Sequence, residues 1–212
     1  MKLFLASPVY HAIDVDFFGS MLGLQRLCWQ KQVDLQFPMI QGDSLVTRAR
    51  DRLVQLFMRS NADRMVWIDS DIGFDPQDVL RLCQKPYDFM AAPYPAKGYP
   101  MRYIVNHFPQ PRQTKDGLIE VRHAGTGFMI WTRKVAETLL DRCRHEPYKN
   151  SDSDTDWHYP VFKTPVVNGL LLSEDYHVCR EWQESGGVVL LDPTVKLNHN
   201  GRHCFQGQGI ET

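Results

Sequence analysis

Short apolar runs alternate with helical stripes through the first half of the chain. Lys2 to Ala6 reads as a strand ending at Ser7-Pro8, and from Asp14, a cap, Phe17, Met21, Leu24 and Cys28 recur at helical spacing. Val33 to Phe37 alternates like a strand. Asp43-Ser44 is then expected to cap a helix with Leu45, Ala49, Leu53 and Leu56 on one face. Met65 to Asp69 is the next strand, Asp75-Pro76 opens a helix through Leu82, and Tyr87 to Ala92 is strand again. Strand and helix in this alternation predict an α/β architecture with a mostly parallel, doubly wound sheet.

The second half has a different texture. Tyr103 to Phe108 and Leu118 to Val121 read as strands around the turn Lys115-Asp116-Gly117, and AGTGFMIW over 124–131 is a glycine loop entering an apolar strand. Val135 to Cys143 is helical, residues 144–163 are polar and expected to form a mobile loop, and Ser173-Glu174-Asp175 starts a helix. Short strands are expected at Val188 to Leu191 and Val195 to Leu197, before a tail rich in His and Gly.

One stretch does not fit a purely structural pattern. MVWIDSDIGF, residues 65–74, carries an oily strand straight into Asp69-Ser70-Asp71. Two like charges at a buried strand end are costly unless something positive meets them. Ligands of open α/β sheets sit beyond the carboxyl ends of parallel strands, where this pair falls. Oxygen ligands so spaced suit Mg²⁺ or Mn²⁺; a capped, solvated turn is the plainer reading. Asp152, Asp154 and Asp156 also alternate, but Trp157 and Lys163 stand where a calcium loop needs Gly and Glu, so that stretch reads as solvated.

Charge and composition narrow the classes. The 212 residues carry a formal net charge of −1 and are 43% hydrophobic, enough for a buried core and no argument for nucleic acid or an anionic membrane. The first residues are too short an apolar run for a signal peptide, and nothing approaches the ~18 apolar residues of a membrane span. Five scattered cysteines without a C-x-x-C pair suggest reduced structural thiols and a cytoplasmic location.

Taken in order, IDSDIGFDPQDVLRL, MAAPYPAKGYP, AGTGFMIWTRKVAETL, SEDYHVCREWQESGG and LNHNG resemble the nucleotide-sugar glycosyltransferases of the GT-A fold. The similarity is closest to bacterial and viral members, in particular the N-terminal glycosyltransferase domains of multidomain chlorovirus proteins that glycosylate the capsid. It runs from Ser7 to Gly207. It implies a GT-A, Rossmann-like domain over residues 1–212: a mixed, mostly parallel sheet flanked by helices, with a small antiparallel second sheet. The ending GQGIET suits a domain cut from a longer chain.

The resemblance also implies a chemistry. Asp69 and Asp71 would hold Mn²⁺ (or Mg²⁺) with His199 completing the shell and His203 as the alternative. Ser7, Pro8, Tyr10, Arg48 and Ser70 would line the nucleotide pocket, Tyr10 stacking on the base. Lys97, Gly125 and Gly127 would approach the donor sugar or its phosphates, the glycines through open N–H groups. Asp175, or Glu174, would take the acceptor proton in an inverting enzyme, and both carboxylates could equally be simple helix caps. A UDP-sugar donor is expected, with GDP and dTDP open, and the acceptor is a glycan or glycoprotein hydroxyl. That acceptor would dock near 144–163, where Trp157, His158 and Tyr159 could stack on a sugar ring. A non-catalytic carbohydrate-binding domain of the same fold is the competing reading. A haloacid-dehalogenase-type phosphatase is disfavoured, because Gly73 stands where that family needs Thr or Val.

Overall fold

The structure is a computed structural model describing residues 1–152, 154–201 and 203–210. Its strands are β1 (Lys2–Val9), β2 (Asp34–Gln36), β3 (Met39–Gln41), β4 (Arg64–Ile68), β5 (Ile72–Gly73), β6 (Phe89–Ala91), β7 (Val105–His107), β8 (Ile119–Ala124), β9 (Phe128–Thr132), β10 (Val166–Val167), β11 (Leu170–Leu171), β12 (Leu190–Leu191), β13 (Asn198–His199) and β14 (Phe205–Gln206). Helices are α1 (Val15–Gln30), α2 (Val46–Arg59), α3 (Pro76–Cys83), α4 (Arg133–Cys143) and α5 (Glu174–Glu184).

The main sheet runs β2-β1-β4-β9-β6-β12-β8-β7, with β3 also paired to β1. β1, β2, β3, β4, β6, β7 and β12 point one way, and β8 and β9 run against them. A second, antiparallel sheet joins β14, β13 and β5. The expected mixed sheet with a small antiparallel companion is therefore present.

The central strands are oily throughout because both faces are covered. Successive side chains alternate sides. Phe4, Ala6, Met65, Trp67, Met129 and Trp131 face a layer built by α2, α4 and α5. Leu3, Leu5, Val66, Ile68, Phe128 and Ile130 face α1 and α3. Asp14 and Asp75 cap α1 and α3, each accepting a backbone N–H two residues on.

Three expectations change. The N-cap of α2 is Leu45, and its buried side carries Ala49, Arg50, Asp51, Leu53, Val54 and Phe57, while Leu45 and Leu56 are exposed. Val195 and Leu197 are buried without forming a strand; the ladder forms at β13 instead. The 144–163 segment is packed down. Val161 and Phe162 are buried, and the Phe162 ring stacks on Trp131 at 5.7 Å.

The segment is pinned by one carboxylate. Asp51 accepts from the Phe162 N–H and the Tyr148 hydroxyl, both at 2.9 Å. Burial pushes the Asp51 carboxyl up to about 7 although these bonds favour its charged form. A folded-state value above the unfolded one, ~3.9, means that its stabilisation is complete below pH ~4 and is lost as pH rises toward 7. Asp51→Asn keeps the shape without the ionisation. The fall in melting temperature between pH 5 and pH 8 is expected to shrink in this variant, by an amount worth a few kcal/mol at most. An unchanged slope in thermal melts would refute the assignment.

Candidate functional site

Where β1 and β4 end, side by side and parallel, the chain opens a cleft of about 200 Å³. It is lined by Pro8, Val9, Tyr10, Asp43, Ser44, Val46, Ala49, Arg50, Asp69, Ser70 and Asp71. Of the expected pocket residues, Pro8, Tyr10, Asp69, Ser70 and Asp71 meet here, and the Tyr10 ring is 69% exposed. Ser7 does not line it: its side chain is buried, and its hydroxyl donates to the Ile68 carbonyl at 2.6 Å, tying β1 to the end of β4.

The positive groups that the acidic pair demands come from three distant places. Arg50 projects from the buried side of α2, and its guanidinium bridges two carboxylates. Nη2 donates to Asp69 Oδ1 at 3.1 Å and Nη1 to Glu174 Oε1 at 2.5 Å. Burial pulls this arginine's pKa down, and the charges of Asp69 and Glu174 more than offset it, so the net direction is upward. Lys97 Nζ donates to Asp71 Oδ2 at 2.5 Å, and His199 Nε2 lies 3.6 Å from the same oxygen. Burial would raise Asp71, but the nearby His199 ring and the hydrogen bond from Lys97 keep its carboxyl below the usual carboxylate range.

His199 is aimed by its other nitrogen. Nδ1 donates to the Pro95 carbonyl at 2.7 Å, which sets the ring with Nε2 toward Asp71. β13 holds His199 opposite Ile72 of β5, and the Asn200 N–H donates to the Asp71 carbonyl at 2.8 Å. His203 instead contacts the Tyr99 hydroxyl through Nε2 at 3.0 Å. Arg48, on the outer face of α2, grips Asp43 in a two-pronged pair at 2.7 and 2.8 Å. The arginine that enters the site is therefore Arg50. Its partner Glu174 is 124 residues away and leaves no local signal.

Neither acidic residue in the first turn of α5, Glu174 or Asp175, is the N-cap; Ser173 is. Glu174 is spent on Arg50. Asp175 accepts from the Ser173 hydroxyl and from the Tyr176 N–H, and burial pushes its carboxyl up. It is the neighbour in sequence of Glu174, which bonds Arg50, but it does not itself line the cleft.

The glycine loop before β9 is filled by Tyr94. A Cβ on Gly125 would lie 2.1 Å from the Tyr94 oxygen, and one on Gly127 would lie 2.7 Å from its Cζ. Their N–H groups are also engaged, Gly125 donating to the Ile104 carbonyl and Gly127 to the Tyr94 hydroxyl. The open space and free donors expected of these glycines are thus occupied in this structure. Gly125→Ala would push a buried ring out of place. It is expected to cost about 1–3 kcal/mol in denaturant melts, and a cost near zero would show that the ring is free to move.

A divalent cation needs oxygen or nitrogen donors gathered on one side. Asp71 and His199 supply two, facing each other. Asp69 is turned to Arg50, so among the described residues no three His, Cys, Asp or Glu side chains form a metal cluster. Mg²⁺ and Mn²⁺ use few protein ligands and complete their shells with water and phosphate oxygens, so the donors present fit such an ion. Among the described residues, no helix is long and apolar enough to cross a membrane.

No protein-family model and no curated protein sequence matches this chain. Solved structures do. A197 from STIV aligns over 100% of this chain and 97% of its own, with a TM-score of 0.59 at 14% identity. GalNAc-T7, solved with UDP, GalNAc and Mn²⁺, aligns over 93% of this chain with a TM-score of 0.53 at 11% identity. This chain covers 43% of that protein's length. A glycosyltransferase involved in glycosylation of the major capsid of PBCV-1 aligns at a TM-score of 0.39 and 11% identity, over 72% of each chain, too distant to carry an argument. The chain has the GT-A fold.

Proposed function

We propose that this chain is a divalent-metal-dependent glycosyltransferase moving a sugar from a nucleoside diphosphate donor, a UDP-sugar, to a hydroxyl of a glycan or glycoprotein. The observation that carries this reading is the cleft itself. On a GT-A fold, at the ends of β1 and β4, one recess combines an exposed ring at Tyr10, the acidic pair, and a cationic bridge from Arg50 to the start of α5.

Each residue has a role in this reading. Tyr10 and Pro8 present the apolar surface for the base, and Ser70 lies on the same wall. Asp71 and His199, with Asp69 as a further carboxylate, would hold Mn²⁺ or Mg²⁺; when bound, such an ion would offset the charge that develops on the departing diphosphate. Lys97 is placed to pair with phosphate oxygens once it leaves Asp71. Asp175, the carboxylate of α5 not engaged by Arg50, takes the proton from the acceptor hydroxyl, and its raised carboxyl suits a base working nearer neutrality. Glu174 keeps Arg50 in register.

Calorimetry with UDP, GDP and dTDP, with Mn²⁺ and with chelator, tests the proposal. One nucleotide, UDP, is expected to bind at micromolar to sub-millimolar strength, on the order of −5 to −8 kcal/mol, only with metal. Equal binding in chelator, or none to any nucleotide, overturns it. The rival reading is a binding domain without turnover. It is favoured by one observation: both carboxylates already carry protein cations. Release of free UDP from a UDP-sugar with Mn²⁺ would exclude it.

A further inference from the structure

Outside the cleft, the outer face of α2 and the 144–163 segment enclose two adjoining recesses. One, of about 340 Å³, is lined by polar side chains including Arg52, Gln55, Arg59, Asn150 and Asp154. The other, of about 230 Å³, has the rings of Trp157 and Tyr159 beside Met58 and Leu140. Gln55 and Arg59 line both, and neither recess shares a residue with the cleft. Along α2, Arg59 is about 13 Å beyond Arg50.

We infer that this flank is a carbohydrate-binding site, separate from the cleft, that takes a neutral oligosaccharide. Sugar recognition needs flat rings for the C–H faces of a pyranose and planar polar groups for its vicinal hydroxyls, and both stand here side by side. Trp157 is 55% exposed, and Lys149 sits over one face of its ring, 5.0 Å from the ring centre. Arg52 makes no hydrogen bond among the described residues, which leaves its planar donors free. Arg52 and Arg59 stand against Asp154 and Asp156, with Arg59 and Asp156 paired at 3.0 Å, and Arg144 of the second recess is paired with Asp141 at 2.7 Å. Hydroxyls find donors and acceptors together there.

The site is also held in shape. Gln55 Nε2 donates to the Trp157 carbonyl at 2.8 Å, and its Oε1 lies 3.0 Å from His158 Nδ1. His158 Nε2 faces Asp154 Oδ2 at 3.0 Å, and that oxygen also accepts from Asn150 Nδ2. These bonds hold the backbone carrying Trp157 to α2 through the protein's own groups, so binding costs little ordering. The inference is independent of the transferase reading, since a binding domain would carry such a site equally well.

Indole N–H signals of the full chain, followed by NMR, provide the test. The probes are methyl glycosides and di- to tetrasaccharides of glucose, galactose, mannose and N-acetylglucosamine. One indole signal is expected to shift saturably with at least one probe, and to be the signal missing from Trp157→Phe. Affinity, read from backbone signals, is expected to fall at least tenfold in Trp157→Ala and less in Trp157→Phe, which keeps a ring. Asp71→Ala should bind the sugar as the native chain does. No response to any probe overturns the site, as does undiminished affinity in Trp157→Ala. Loss of binding in Asp71→Ala places the sugar in the cleft and also overturns it.

Discussion

Arg50→Ala is expected to destabilise the folded chain by about 3 kcal/mol, the largest effect of any single substitution in the cleft. The guanidinium is buried, with 5% of the side chain exposed, and it separates Asp69 from Glu174. Removing it leaves two carboxylates facing a cavity with no counter-charge, which costs more than the lost hydrogen bonds themselves. Asp69 and Glu174 keep 26% and 18% of their side-chain exposure, so water softens the penalty and holds it at the low end of the range for buried pairs. The deficit should depend on pH. Repulsion across the empty cavity exists only while both side chains carry charge, so the deficit grows as pH climbs through the carboxylate range. Denaturant melts should show the gap to the native chain wide at pH 8 and narrowed near pH 4. Adding Asp69→Asn and Glu174→Gln should recover most of the loss, because an uncharged cavity has no repulsion to relieve. A pH-independent gap would mean that lost packing, including the guanidinium against the Phe162 ring at 5.6 Å, outweighs the charges.

Arg50 also marks where the sequence stops being legible. The features set by neighbours in the chain could be read: the caps at Asp14 and Asp75, the oily central strands, the acidic pair at the end of β4. What tertiary partners decide could not. A helix face is read from its apolar residues, yet α2 buries Arg50 and Asp51 beside Leu53 and Phe57. Those charges are tolerated only because Asp69, Glu174, Tyr148 and the Phe162 N–H reach them from elsewhere. By the same reasoning the polar 144–163 segment looks solvated, since nothing within it shows that Asp51 will fix both of its ends. One local signal was there to be found. VVNGLL places Asn168-Gly169 between apolar pairs; both residues take positive φ, 51° and 79°, and the β10-β11 hairpin forms around them. In the cleft, residue types were legible and their engagement was not: Ser7 and Gly127 look like ligand contacts until Ile68 and Tyr94 are seen against them.

Asp71→Ala is expected to lower metal-dependent nucleotide affinity at least about a hundredfold, roughly 2.7 kcal/mol, while leaving the melting temperature nearly unchanged. The two halves of this expectation come from the same geometry. Asp71 is where the loop after β6 and the strand β13, already joined through Pro95 and His199, both deliver a nitrogen to one carboxylate oxygen. With 36% of its side chain exposed, its ion pair with Lys97 is screened and contributes under about 1 kcal/mol to folding. Its value lies in charge held at a fixed point. An ion shared with a diphosphate would lose its only carboxylate not committed to an arginine, because Asp69 is engaged by Arg50. Asp71→Asn, which keeps the shape and loses the charge, should fall between alanine and the native chain. Calorimetry in matched Mn²⁺ and chelator buffers, beside thermal melts of the same samples, measures both quantities. Affinity that survives the substitution would place the cation, and with it the donor phosphates, away from the end of β4, and the role assigned to the acidic pair would fall with it.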